Sequence, residues 1–301
     1  MTIDVLKDLL TAVNGAEQVF VNEPMKKHTS FKIGGPVDLL VMPTTENGLS
    51  ETLAIIHKSG LNLFVMGNGS NLLVSDEGYR GVIVKIAENF NAFQIENECV
   101  VVRAGMLLST LSKSIMEAKL TGFEFASGIP GTIGGAVFMN AGAYDGEFKD
   151  IVEWVRVMDL SGNIKQYTAQ EMEFSYRHSV LHERNEIVVS CGLALKRGSY
   201  EVIKEKTDDL TLKRTTKQPL QWPSAGSTFK RPEGYYAGKL IDDSGLRGLQ
   251  LGGAQVSTLH SGFVINTGNA TYKDVTDLIA TIQKVVMDRF GVHLETEVRY
   301  L

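Results

Sequence analysis

Cysteine is scarce in this chain. The 301 residues contain two, Cys99 and Cys191, far apart and outside any Cys-x-x-Cys or Cys/His cluster. That excludes a disulfide scaffold and a zinc site, and it fits a reducing compartment, the cytoplasm. Long apolar runs are missing too. Stretches such as Leu61 to Met66 and Cys99 to Val102 fall far short of the roughly 20 residues a membrane-spanning helix needs. The opening Met1-Thr2-Ile3-Asp4 runs into a mixed segment with no basic start, apolar middle or small-residue cleavage site, so no secretory signal is expected. Basic residues never run beyond a pair or so, and the formal net charge is -5 with a pI near 5.8. This argues against a nucleic-acid partner while leaving room for a local pocket that takes an anionic small molecule.

What the chain has in excess is glycine, 30 of 301 residues, against roughly 7% in average proteins. Its length favours two domains over one. Leu6, Leu9, Leu10 and Val13 share helical spacing before Gly15. A second helix is expected over 46–58, capped by Thr45 and stopped by Gly60. Short apolar runs at 61–66, 82–86 and 99–104 read as buried strands, and a helix near 107–119 follows. The runs 151–159 and 163–168, joined at Ser161-Gly162, read as a hairpin, with a further strand at 187–195. A charged helix from Ser199 to about Arg214 marks the composition shift that places the domain boundary. Near the end, Thr271 and Asp274 open a helix with Val275, Leu278, Ile279, Ile282 and Val286 on one face and Gly291 as its stop. Residues 292–300 alternate as a closing strand, with Glu295 and Glu297 on one charged face.

Two glycine tracts carry the functional signal. Gly67-Asn68-Gly69-Ser70-Asn71 follows a strand, but Leu72 stands where a dinucleotide fingerprint needs its third glycine, and no helix follows. Such a loop is either a tight turn or a nest of N–H groups for phosphate. The second tract, Ser127-Gly128-Ile129-Pro130-Gly131-Thr132-Ile133-Gly134-Gly135-Ala136 and on through Asn140, Gly142 and Tyr144, suggests close backbone approach to a large flat or phosphorylated ligand. A helix packed tightly on a sheet through Gly134 and Gly135 is the alternative.

Together these tracts resemble the FAD-binding module of the vanillyl-alcohol-oxidase (PCMH) type, and more closely the UDP-N-acetylenolpyruvoylglucosamine reductase (MurB) family; His28 to Gly35 resembles that family's first motif. Three more motifs match it: Phe174-Ser175-Tyr176-Arg177, Pro223 to Lys230, and Leu294 to Arg299. The resemblance implies an α+β chain, with a two-subdomain FAD-binding module over 1–198, split near 85, and a smaller substrate-binding domain over 199–301. It implies noncovalent FAD along Gly67, Asn68, Gly69, Ser70, Asn71, Gly128, Ile129, Pro130, Gly131, Gly134, Gly135, Asn140, Gly142 and Arg299, with NADPH as hydride donor and a UDP-sugar as substrate. It makes Arg177, Ser227 and Glu297 the catalytic trio.

The chemistry explains those residue types. Reducing an enol ether beside a carboxylate builds negative charge, which a fixed cation (Arg177) and a protonated carboxyl (Glu297) can stabilise. A well-placed hydroxyl, Ser227, can then protonate carbon. Taken singly, each residue also reads as a solvated or capping side chain, and only the motif match selects Glu297 over Glu295. Lys217 resembles the family's lysine for the substrate diphosphate, or else it belongs to a solvated basic cluster. Arg231 stands where some members carry asparagine, and His260 is either a pocket residue or structural. The chain lacks the extension and tyrosine loop of the type I enzymes and so resembles type II. Two rival readings are another FAD oxidase of the superfamily, which has no need of the Ser227 and Glu297 motifs, and a nucleotide-sugar or flavin binder that consumes no NADPH.

Overall fold

The computed structural model describes residues 1–144 and 146–301. The chain is divided into two compact units. One comprises Met1–Asn22, Asp38–Asn68 and Arg80–Lys213, the other Glu23–Val37, Gly69–Tyr79 and Arg214–Leu301.

The first unit begins with two helices whose ends were legible. Ile3–Asn14 stops at Gly15, at φ 88°, and Glu46–Ser59 runs from a Thr45 cap to a left-handed Gly60. Thr45 accepts the Gly48 N–H at 3.0 Å, a bond of the kind that contributes about 1 kcal/mol. Leu6 and Leu10 are buried, whereas Leu9 is 42% exposed, so the apolar face of the first helix is narrower than its leucine spacing suggests. A four-stranded sheet runs in the order Val19–Pro24, Pro36–Val41, Tyr79–Lys85, Leu63–Met66, the last two parallel. A five-stranded antiparallel sheet follows, in the order Ile164–Thr168, Val152–Asp159, Glu186–Ala194, Cys99–Arg103, Phe93–Glu96. The hairpin turns where expected. The Asp159 carboxylate takes the Ser161 and Asn163 N–H groups at 2.8 and 2.9 Å, and Gly162 sits at φ 87°. One apolar cluster, from Leu6 to Leu195, serves both sheets.

The second unit packs the helix Tyr272–Phe290 on a three-stranded meander, Gln250–Leu251, Ala254–Val256 and Val264–Asn266. The capping box of Thr271 and Asp274 forms as read, and Gly291 ends the helix at φ 66°. Phe31, Ile33 and Leu73 join Val275, Leu278, Ile282 and Val298 in its core. Its segments 23–37 and 69–79 therefore come from outside the 199–301 span that composition marks, and the helix holding that composition shift, Tyr200–Lys217, crosses the division at Lys213 and Arg214. The closing strand is also shorter than alternation predicts. Only Arg299–Tyr300 pairs as a strand, parallel to Leu72–Leu73, while Thr296 makes a single bridge to Phe229. The alternation of burial survives at Leu294 and Val298, both buried beside exposed His293 and Glu295.

The two thiols differ sharply. Cys99 is exposed, whereas Cys191 is buried and its pKa is driven up by desolvation. An aromatic disulfide reagent is expected to titrate one thiol in the native protein and two in denaturant. Cys99→Ser should abolish the native reaction; rapid native reaction of that variant would contradict the burial of Cys191.

Candidate functional site

The glycine tracts adopt geometry that only small residues permit. A Cβ on Gly67 would overlap the Thr132 hydroxyl, so the first loop and the second tract lie against each other within the first unit. The second tract is strung along 104–108: Leu108 N–H donates to Gly131 O at 3.1 Å, Ile133 N–H to Met106 O at 2.9 Å and Gly134 N–H to Ala104 O at 2.8 Å. Gly134 and Gly135 differ in their surroundings. Gly134 packs on the sheet, its added Cβ falling 3.0 Å from the Ala104 methyl, whereas Gly135 is exposed, with only Thr132 Oγ1, at 3.9 Å, within 4 Å of an added Cβ. Gly128, Ile129 and Gly131 are half-buried, and Pro130 is exposed. An open Cα facing out of a tightly held glycine loop is what a large flat cofactor requires, and these residues fit FAD.

The chain passes from the first unit to the second at Asn68 and Gly69. Within the second unit Gly69 O accepts the Ser30 N–H at 3.2 Å, Asn71 Nδ2 donates to Glu297 O at 3.0 Å, and Asn71 O takes the Arg299 N–H at 3.0 Å. The family's first motif therefore supports this loop through Ser30.

Arg177 belongs to the first unit. It sits at φ 55°, a left-handed conformation costing an ordinary residue roughly 1–2 kcal/mol, in a turn closed by reciprocal Ser175 and His178 backbone bonds of 3.1 and 3.2 Å. Its guanidinium lies 5.0 Å from the Tyr176 ring centroid and donates to Gly142 O at 3.1 Å.

Ser227 and Glu297 belong to the second unit, on segments that are brought together. Glu297 N–H donates to Thr228 O at 2.9 Å, and Lys230 N–H to Glu295 O at 2.8 Å. Gly226 turns the chain at φ 77°, and Thr228 is fixed by Gly262 O and by the Val264 N–H it accepts at 2.9 Å. Ser227 and Glu297 are half-buried. Glu295, the competing carboxylate, is exposed and paired with Lys230 at 2.5 Å. Periodicity alone could not separate the two acids, because the discriminating partner is 65 residues away.

The remaining residues are more peripheral. Lys217 is exposed at the end of its helix, and Arg231 is exposed with its guanidinium 4.0 Å from the Tyr236 ring centroid. His260 Nδ1 accepts the Gly262 N–H at 3.1 Å, so the neutral ring carries its proton on Nε2. Desolvation, assisted by the Arg247 charge, lowers its pKa against an opposing backbone hydrogen bond. Gly142 is needed for its ribbon, since an added Cβ would sit 2.7 Å from Gly146 O. Asn140 is wholly buried and bonded to protein. Thr132, which lies against Gly67, falls inside the second tract, whereas Glu147, which holds Asn140, carries no motif that sequence reasoning could have read. No group of metal-ligating side chains occurs among the described residues.

The comparisons agree with this geometry. The family model of an FAD binding domain matches residues 37–168, and that of the C-terminal domain of UDP-N-acetylenolpyruvoylglucosamine reductase matches 218–301. The reductase of that name from Alkaliphilus metalliredigens is 57% identical over 288 residues, covering 96% of this chain and 95% of the relative. The crystal structure of UDP-N-acetylenolpyruvylglucosamine reductase (MurB) from Thermus caldophilus superposes with a TM-score of 0.80 at 35% identity, over 94% of this chain and 98% of that one. An alkyldihydroxyacetonephosphate synthase shares the fold at a TM-score of 0.51 and 14% identity, over 65% of this chain and 41% of its own. An FAD binding domain joined to a reductase C-terminal domain defines an FAD-dependent oxidoreductase. The chain belongs to the UDP-N-acetylenolpyruvoylglucosamine reductase family.

Two substitutions separate packing from ligand space. Gly134→Val, driven into Ala104, should cost about 1–3 kcal/mol in urea unfolding, whereas Gly135→Ala should cost nothing; equal losses would contradict the geometry. His260 makes a pH prediction. Its pKa is lowered on folding, so the unfolded chain binds more protons below about 6.5 and the associated stability, full above that pH, is lost as pH falls through the folded value. Comparing unfolding midpoints at several pH values, His260→Gln should show a shallower loss than the parent over that window; identical slopes would rule the contribution out.

Proposed function

We propose that the chain catalyses NADPH-dependent reduction of UDP-N-acetylglucosamine enolpyruvate to UDP-N-acetylmuramate, a step in peptidoglycan precursor synthesis, in the cytoplasm. The observation that carries this reading is the pairing of the Ser227 and Glu297 segments through the Glu297 N–H to Thr228 O bond, inside the stretch that matches the reductase C-terminal domain. A different oxidase of the same fold has no need of that pair. The absence, among the described residues, of a helix long and apolar enough to cross a membrane is compatible with this location.

When bound, FAD supplies the chemistry of accepting hydride from NADPH and passing it on. Gly67 to Asn71, Gly128 to Gly131, Gly134, Gly135 and Arg299 are the residues that would hold it. Addition at the vinyl carbon leaves negative charge on the neighbouring carbon and carboxylate. Arg177 is permanently cationic, and Glu297, protonated, donates a hydrogen bond; both act where charge develops. The Ser227 hydroxyl then gives its proton to that carbon. Because the enolate is the stronger base, geometry rather than intrinsic acidity governs this step. Lys217 serves the substrate diphosphate as a compact point charge, Arg231 adds a second cation, and His260 offers an Nε2–H donor.

The test is the visible spectrum, followed anaerobically. NADPH should bleach the flavin band, and the enolpyruvyl substrate should restore it. Ser227→Ala should keep the bleaching step and slow the recovery by on the order of 10²–10⁴. A protein that takes up no flavin even on reconstitution would overturn the reading; bleaching without recovery would reassign the substrate.

A further inference from the structure

We infer that Asn140 is a positioning residue for Arg177 and not, as the glycine-rich motif suggests, a contact to the cofactor. The inference rests on the proposed role of Arg177 as the cation that meets developing charge.

Asn140 is wholly buried. Its Nδ2 donates to Glu147 Oε2 at 2.7 Å and to Ser175 O at 2.9 Å, and its Oδ1 accepts the Lys149 N–H at 2.9 Å. A carboxamide has two N–H donors, and both are spent on protein. The amide cannot be turned over, because Ser175 O only accepts and Lys149 N–H only donates. The backbone at φ 42° is left-handed, a conformation asparagine tolerates better than most residues.

What these bonds hold together is the turn and the ribbon on which Arg177 rests. Ser175 O receives two donors, the His178 N–H that closes the turn and Asn140 Nδ2. On the far side of the turn, buried Ser179 donates from Oγ to Phe138 O at 2.7 Å. The turn that carries Arg177 is therefore fastened at both ends to the end of the helix Ile133–Phe138 and the residues just after it. The guanidinium is held by Gly142 O, in a ribbon where Gly142 pairs with Glu147. Glu147 is the second acceptor of Asn140. One amide thus links the turn that sets the Arg177 backbone to the ribbon that receives its side chain. Arg177 is itself in a left-handed conformation, which persists only where the surroundings over-determine it. Without the amide, Ser175 O keeps one donor, Glu147 loses its link to the turn, and the backbone is free to relax toward φ below zero.

The experiment uses the FAD-loaded full chain and Asn140→Gly, which retains the left-handed backbone and deletes only the amide. Reoxidation by the enolpyruvyl substrate should slow about 10- to 100-fold, the scale of a misplaced catalytic group. FAD affinity, the flavin spectrum and the rate of bleaching by NADPH should stay within about threefold of the parent. The deciding measurement is a double-mutant cycle with Arg177→Ala. If Asn140 acts through Arg177, the double variant is no slower in reoxidation than Arg177→Ala alone. Losses that multiply in full, or a weakened FAD with a shifted spectrum, would overturn the proposal and return Asn140 to the cofactor. Unaltered reoxidation in Arg177→Ala would instead sink the catalytic reading of Arg177, and this inference with it. Should the glycine variant melt early, Asn140→Ser is read by the same cycle.

Discussion

The last eight residues of the chain are laced between two segments from far earlier in the sequence, and the second unit depends on that lacing. On one side Arg299 N–H meets Asn71 O, Leu301 N–H meets Leu73 O, and Ser75 N–H meets Leu301 O. On the other, Glu297 N–H meets Thr228 O and Lys230 N–H meets Glu295 O. Backbone groups buried without partners are costly, so these bonds fix register as well as proximity. Leu294 and Val298 anchor the lace in the core. Glu297 lies between the anchors with its own carbonyl held by Asn71, which leaves it little freedom to drift. The same register gives the neighbouring glutamate a different fate. Glu295 points to solvent beside Lys230, and exposed pairs of that kind stabilise a fold by little, about 0–1 kcal/mol.

The first unit solves the opposite problem, how to bring polar groups inside. Glu124 is buried. Desolvation pushes its pKa up, but hydrogen bonds from Thr121 and the Gly122 N–H, with Lys206 at 3.2 Å, outweigh that and hold it below the ordinary carboxylate range. Asn140 is the neutral counterpart, buried and satisfied by three groups on two segments, Glu147 and Lys149 on one and Ser175 on the other. Satisfied buried polar groups hold a local structure to one arrangement because any alternative strands a donor or an acceptor. Both lie close in sequence to the glycine tract, where a loop built of permissive residues would otherwise have the most freedom to lose.

Much of this was legible in the sequence, and what was legible shares a cause. Helix ends at Gly15, Thr45, Gly60, Thr271 and Gly291 were readable because caps are local events decided within four or five residues. The Ser161-Gly162 hairpin was readable for the same reason. The division of the chain was not. Segments 23–37 and 69–79 enter the second unit through pairings such as Leu72 with Arg299, only two residues long, and no periodicity arises from two residues. The closing strand was over-read because alternation reports which side chains are buried, not whether the backbone has a partner. The candidate site followed the same rule: the glycine tracts announced themselves by composition, whereas Glu147 and the bonds of the Asn140 amide act across sequence gaps that carry no pattern.

The geometry also bears on why arginine occupies a strained turn at all. A long cationic side chain on a regular element would reach its target with several rotamers to choose from, and its charge would be smeared over them. At Arg177 the left-handed backbone fixes the direction of departure, the Tyr176 ring lies 5.0 Å from the guanidinium, and Gly142 O takes one of its N–H groups. Each restraint removes freedom before any ligand arrives. In the role proposed for it, a cation held in this way would not have to reorganise when negative charge appears, and that is the condition under which a fixed charge lowers a barrier instead of merely binding an anion. The strain in the turn is then a cost borne in folding, offset by the buried amide and hydroxyl bonds on either side of it.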